Sequence, residues 1–341
     1  MRLSERALNR AVLARQHLLV RAERPLPEVL ETIAGIQAQY APSMYVGLWS
    51  RVAGLERAAL TTALEECRVV QGTLMRVTIH LVSPADYWPF ALATRQARRT
   101  LWLRARKDAP SEAQMAAGAR ELRKALAGGN ALRRTEIDAM LGKVRAHGVG
   151  LWLDMVRVPP SGTWERRRAD SYGLAEEWVG AEPAADGAAA QLVRRYLAGF
   201  GPATRKDVAS FTGIKLTQLK PVLEALELDT HESASGETLL DVPGAPLPDP
   251  DTPARVRKLP TWDATLLVHC RRAGIVREEH RPLLFNTKTP QSVPVFTVDG
   301  VVAGTWRYAG GEVATEPFKK LDRATRAEVD AEAAALAAFH A

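Results

Sequence analysis

Two glutamines flank a single alanine in this sequence, Gln37-Ala38-Gln39, and they are its most informative polar group. Gln37 lies four residues after Ile33, so in a helix it would extend an apolar stripe made by Val29, Leu30, Ile33 and Ile36. A polar residue on such a stripe must find hydrogen bonds or reach a cleft. Pro42 disfavours helix at Ala41, so the helix is expected to unwind near the pair. In extended chain, positions i and i+2 point the same way, and both amides can then converge on one spot. Converging amides can hold a water molecule in a fixed place, and their carbonyl dipoles can stabilise a developing cation. The competing reading is two glutamines at a helix end that cap nearby backbone.

Other candidates surround this pair. Arg76, Thr78 and His80 share one face of a strand by period-two alternation. They can line the same cleft or touch phosphates; His80 can equally be a hydrogen-bonded core histidine. Asp263 is placed to cap the segment that follows it. Lys288 is expected at a hairpin tip, able to probe a groove. Arginines crowd residues 95–106 and 166–168, with Arg194, Arg195 and Lys206 beyond them. These predict a basic concave face, on which Arg166 and Arg168 are taken as DNA contacts together with Arg76, His80 and Lys288.

The elements that would position these residues are mostly helices. Ser4 caps a first helix, and Pro27 opens a second that ends at Pro42. Residues 75–83 alternate and read as a strand, and Pro84 opens a long arginine-rich helix. Residues 112–126 form a helix, Thr135 caps a shorter one, and two strand-like runs surround residues 159–162. The pattern recurs at 189–242 as helix, short helix, helix and hairpin, with Gly213 at the turn of a helix-turn-helix. A Pro-rich linker at 241–253 leads to strands with Asp299-Gly300 as a hairpin turn, and to a terminal helix. The expected fold class is α+β, mainly α: tandem winged-helix units followed by a C-terminal β-barrel-like domain. The units are 1–110 (carrying Gln37 and Gln39), 111–186, 187–245, and 246–341 for the linker, β-rich domain and terminal helix.

The 341 residues carry 46 Lys+Arg against 39 Asp+Glu, a formal charge of +7, which favours a polyanionic partner. Cys67 and Cys270 stand far apart without CxxC or zinc-finger spacing, and read as core thiols rather than a disulfide or metal site. No apolar run reaches membrane-spanning length, and the first residues show no apolar signal core. The expectation is a cytoplasmic monomer without cofactor or metal.

Several segments resemble the AlkZ / YcaQ-type family of winged-helix DNA glycosylases: LARQHLLVR (13–21), IAGIQAQYAPSMYVGLWSR (33–51), LMRVTIHLVSPADYW (74–88), LPTWDATLLVH (259–269) and VDGVVAGTWRY (298–308). The resemblance implies tandem winged helices around a DNA-sized cleft and makes Gln37 and Gln39 the catalytic motif. The second motif position is Gln where a related branch has Asp, so it offers no carboxylate base. The chain also departs at Val77, where the branch usually reads glycine. The implied activity is monofunctional hydrolysis of cationic N7-alkylguanines in double-stranded DNA, including bulky adducts or interstrand crosslinks, in base-excision repair or genotoxin self-resistance. The alternative is a non-catalytic winged-helix transcription regulator.

Overall fold

The computed structural model describes residues 1–267, 274–285 and 292–341. Its first helix, Glu5–Arg15, is capped by the Ser4 hydroxyl, which accepts from the Ala7 backbone N–H. The second helix, Leu26–Thr32, is shorter than the apolar stripe suggests. Ala34 and Gly35 both take left-handed backbone, φ +60° and +75°, and turn the chain out of the helix. It resumes as a two-residue strand, Ile36–Gln37. Gln37 therefore lies on a strand and does not continue the helical stripe.

That strand is the edge of a six-stranded sheet. The order is Ile36–Gln37, Ile79–Val82, Val70–Thr73, Met155–Arg157, Ser171–Leu174 and Leu132–Arg133. Strands from both sides of residue 110 thus share one sheet, joined where Gly72 pairs with Val156. Gly72 lets the Tyr87 ring approach, since a Cβ there would lie 2.5 Å from that ring. The Tyr87 hydroxyl donates to the Met155 carbonyl across the same seam. Helix Pro84–Arg104, which bears Tyr87, packs against helix Ala188–Phe200 in the main core.

Helices Arg205–Thr212 and Leu216–Ala225 follow, with Gly213 left-handed between them (φ +72°). The hairpin of Asp229–Ser233 and Thr238–Asp241 comes next, and the N-terminal Arg2–Leu3 adds to it in parallel. The last region corrects the barrel expectation. Arg257–Leu259, Val295–Val298, Val301–Ala309 and Glu312–Pro317 form an open antiparallel sheet of four strands. Among the described residues its two edges do not meet; four strands are too few for the barrels that side chains fill, which take about eight. Helix Arg323–His340 instead packs on both edge strands. Cys67 is half-buried rather than a core thiol, and Cys270 lies outside the described residues.

Three buried arginines near the N-terminus tie these parts together. Arg10 pairs with Asp299 and donates to the Thr252 carbonyl. Arg15 grips Asp241 with both terminal nitrogens, at 2.7 and 2.8 Å. Arg51 grips Asp263 in the same way at 2.9 Å for each bond, while Asp263 also caps Thr265 as the sequence suggests. The Arg51 guanidinium holds the Asp263 carboxyl below its usual range against the opposing effect of burial. Removing one partner strands the other charge in the core. Arg51→Met is expected to cost about 3–5 kcal/mol, read as a lowered urea midpoint; an unchanged midpoint would show that Asp263 finds another counter-charge.

Candidate active site

The motif strand places Gln37 directly opposite His80, with Ile36 opposite Leu81. Directly opposed residues project on the same face, with Cβ atoms about 4.5–5.5 Å apart. Gln37 is 8% exposed, and no hydrogen bond of its side-chain amide is found among the described residues. An amide so placed keeps both its donor and its acceptor for something other than the fold. Gln39 is exposed, and its use is mixed. Its Oε1 accepts from the Ile79 backbone N–H at 3.1 Å, one step beyond the Ala38 N–H to Ile79 carbonyl bond. The oxygen of Gln39 thus bonds backbone across the strand pair rather than capping a helix end, and the amide without a partner is that of Gln37.

His80 is 3% exposed, so it is an interior group rather than an open phosphate contact. Burial is the main cause that pushes its pKa down to about 3, and the positive charge of Arg76 adds to it. The ring is neutral at working pH and carries one proton. Nδ1 lies 3.1 Å from the Thr78 carbonyl, which can only accept, so that proton sits on Nδ1. Nε2 is left as the acceptor, and no hydrogen bond to it is found among the described residues.

Arg76 and Val77 form the tight turn that joins Val70–Thr73 to Ile79–Val82. The Thr78 N–H bonds the Met75 carbonyl at 3.1 Å, and both central residues have positive φ, +55° and +62°. This is the pattern of a type I′ turn, which prefers Asn-Gly. Arg76 is held from outside: it donates to the Phe211 carbonyl and its guanidinium lies 5.2 Å from the centre of the Phe211 ring. Burial lowers its pKa to about 10, and it has no carboxylate partner among the described residues. Nothing comparable relieves Val77, a β-branched residue in left-handed backbone.

The arginine-rich segments divide into two groups. Arg95 pairs with Asp154 and Glu182, and the buried Arg98 with Asp154. Arg99 donates to the Leu151 carbonyl, and Arg195 pairs with Asp86 and Glu31. These charges hold helices together, so much of the expected basic face is already neutralised inside the protein. Arg166 and Arg168 differ: both are exposed on the loop after Met155–Arg157, and the Arg168 side chain is 89% exposed, with only a loose 3.7 Å pair to Asp170. Arg167, part of the 166–168 run but not among the DNA contacts expected from the sequence, reaches the residue that follows the motif. Its Nη1 donates to the Tyr40 hydroxyl at 3.2 Å, bringing that loop beside Gln39. The run Arg166-Arg167-Arg168 was the available signal, although nothing in it names Tyr40 as a partner. Lys288 lies outside the described residues. Among the described residues no cluster of His, Cys, Asp and Glu suits a metal ion, and no helix is long and apolar enough to cross a membrane.

Comparison with known proteins gives matches of two kinds. The model of the family described as DNA glycosylase AlkZ-like matches residues 30–339. The solved structure of Streptomyces sahachiroi DNA glycosylase AlkZ is similar with a TM-score of 0.81 and 21% identity, over 100% of this chain and 97% of that one. No match is found among curated proteins. At that identity the structural likeness concerns the fold.

The left-handed conformation of Val77 costs about 1–2 kcal/mol, while its side chain packs only partly against the Trp102 cluster. Val77→Gly is therefore expected to stabilise the protein by about 1 kcal/mol, seen as a higher urea midpoint. A lower midpoint would mean that the packing of Val77 outweighs its backbone strain.

Proposed function

The chain belongs to the AlkZ-like DNA glycosylase family and is a DNA glycosylase, and from that premise we propose that it hydrolyses the N-glycosidic bond of cationic N7-alkylguanines in duplex DNA. Family membership sets aside the non-catalytic regulator. The observation that carries the substrate reading is Gln37: a nearly buried amide, unused by the fold, opposite a neutral histidine. Among the described residues no carboxylate hydrogen-bonds to Gln37, Gln39 or His80. Such a site has no strong acid with which to protonate a leaving group.

N7 alkylation makes protonation unnecessary. The base already carries positive charge, and it leaves as a neutral purine while the sugar becomes oxocarbenium-like. The remaining task is to hold a water near the anomeric carbon and to face the developing cation with carbonyl dipoles. Gln37 can do both, and Gln39 adds its side-chain dipole at the end of the same strand pair. Neutral bases such as uracil would gain little. Bulky N7 adducts and N7-linked interstrand crosslinks carry the same cationic purine and fall within the same chemistry, in repair or in self-resistance to a genotoxin.

DNA affinity is assigned to phosphate contacts by the exposed Arg166 and Arg168, with the uncompensated charge of Arg76 nearer the site. The four-unit division at residues 110, 186 and 245, with winged-helix units presenting this surface, is part of the same proposal.

Gln37→Ala should lower the single-turnover rate of N7-methylguanine release by roughly 10–1000-fold, the range for loss of one positioning or charge-stabilising group. Gln39→Ala should cost less, because half of that amide caps Ile79. Gln39→Asp should be tolerated or shift lesion preference. Duplex affinity should hold in each variant, since neither amide supplies charge. Full activity in a folded Gln37→Ala, Gln39→Ala double variant would overturn the assignment.

A further inference from the structure

We infer that His80 is a third catalytic group, whose bare Nε2 accepts a hydrogen bond from the water that Gln37 holds. This rests on the glycosylase reading above. Both hydrogens of a nucleophilic water must be engaged by acceptors so that a lone pair is left facing the carbon under attack. A site that only donates hydrogen bonds would occupy those lone pairs and blunt the nucleophile.

Strand register supplies two acceptors side by side. Gln37 and His80 are directly opposed, and among the described residues no hydrogen bond is found to Gln37 Oε1 or to His80 Nε2. The role of the imidazole is fixed twice. Its single proton is tied to the Thr78 carbonyl, so the ring cannot turn its donor to the water. Burial, with the nearby positive charges of Arg76 and Arg98, keeps a second proton off Nε2. A protonated ring would donate instead of accept and would place a cation beside an oxocarbenium-like sugar.

The step balances simply. The water oxygen bonds to C1′ as the bond from C1′ to N9 breaks. That electron pair goes to the base, which leaves as neutral N7-alkylguanine. The surplus proton passes to solvent, because neither the amides nor this imidazole can keep it. The product is an abasic deoxyribose bearing a hydroxyl at C1′.

Two substitutions separate this role from a merely structural one. His80→Asn retains a short group able to reach the Thr78 carbonyl but removes the acceptor at the position of Nε2. His80→Gln places an amide oxygen near that position. Single-turnover release of N7-methylguanine should fall about 10–100-fold in His80→Asn, and His80→Gln should recover most of that loss. Duplex affinity should not change in either. The wild-type rate should be flat between about pH 5 and 8, since the folded histidine titrates near 3. Full activity in His80→Asn, or a wild-type rate governed by a group titrating near 6, would overturn the inference. If Gln37→Ala is inactive while His80→Asn is fully active, only the role of His80 fails. If both are fully active, the glycosylase mechanism built on Gln37 fails with it.

Discussion

A two-residue strand pairing is the contact on which the site depends. Ile36–Gln37 lies against Ile79–Val82, and the register sets Gln37 opposite His80. The pairing exists because the preceding helix stops at Thr32 and two left-handed residues redirect the chain. Gly35 is needed there for space as well as for backbone conformation: a Cβ would meet Val82 Cγ1 at 2.8 Å and the Leu81 carbonyl oxygen at 3.0 Å. A slip of one residue would turn Gln37 to the opposite face of the sheet. The oxygen of Gln39, bonded to the Ile79 N–H, acts as a further rung that resists such a slip.

The other end of this strand pair carries stress. The Arg76-Val77 turn uses residues poorly suited to its backbone, and Arg76 anchors it to Phe211 in the helix before the Gly213 turn. The same guanidinium helps keep His80 neutral. Turn geometry, the electrostatics of the histidine and contact with a remote helix thus meet in one side chain. The ion pairs of the buried Arg10, Arg15 and Arg51 serve the larger frame, joining the first 51 residues to the part-exposed Asp299 and the buried Asp241 and Asp263. Much of the arginine content that gives the chain its positive charge works in this way, which is why net charge alone overstates the basic surface.

Much of this was legible in the sequence, to different depths. Capping by Ser4, the long helix from Pro84, the turn at Gly213 and the Asp299-Gly300 hairpin follow from local rules, and the structure has each of them. The motif pair stood out because a polar residue interrupted an apolar pattern. The sequence predicts a helix that unwinds near the pair; the left-handed residues Ala34 and Gly35 end it earlier than Pro42 would, before Ile36. The barrel was overestimated because alternation reveals strands but not closure. The neutral state of His80 and the Arg167 contact to Tyr40 depend on burial and on chain segments 127 residues apart, which no local pattern carries.

The central claim is that the site removes a base that is already cationic, by holding water rather than by protonating a leaving group. Comparing two duplexes that carry a charged and an uncharged form of one lesion tests this most directly. One carries N7-methylguanine; in the other the imidazole ring of the same lesion has been opened, which removes the positive charge. The account predicts that single-turnover excision of the cationic base is faster by about 100-fold or more, the scale of one catalytic proton transfer. Equal rates on the two duplexes would contradict it and would require an acid other than any hydrogen-bonded to Gln37, Gln39 or His80 among the described residues.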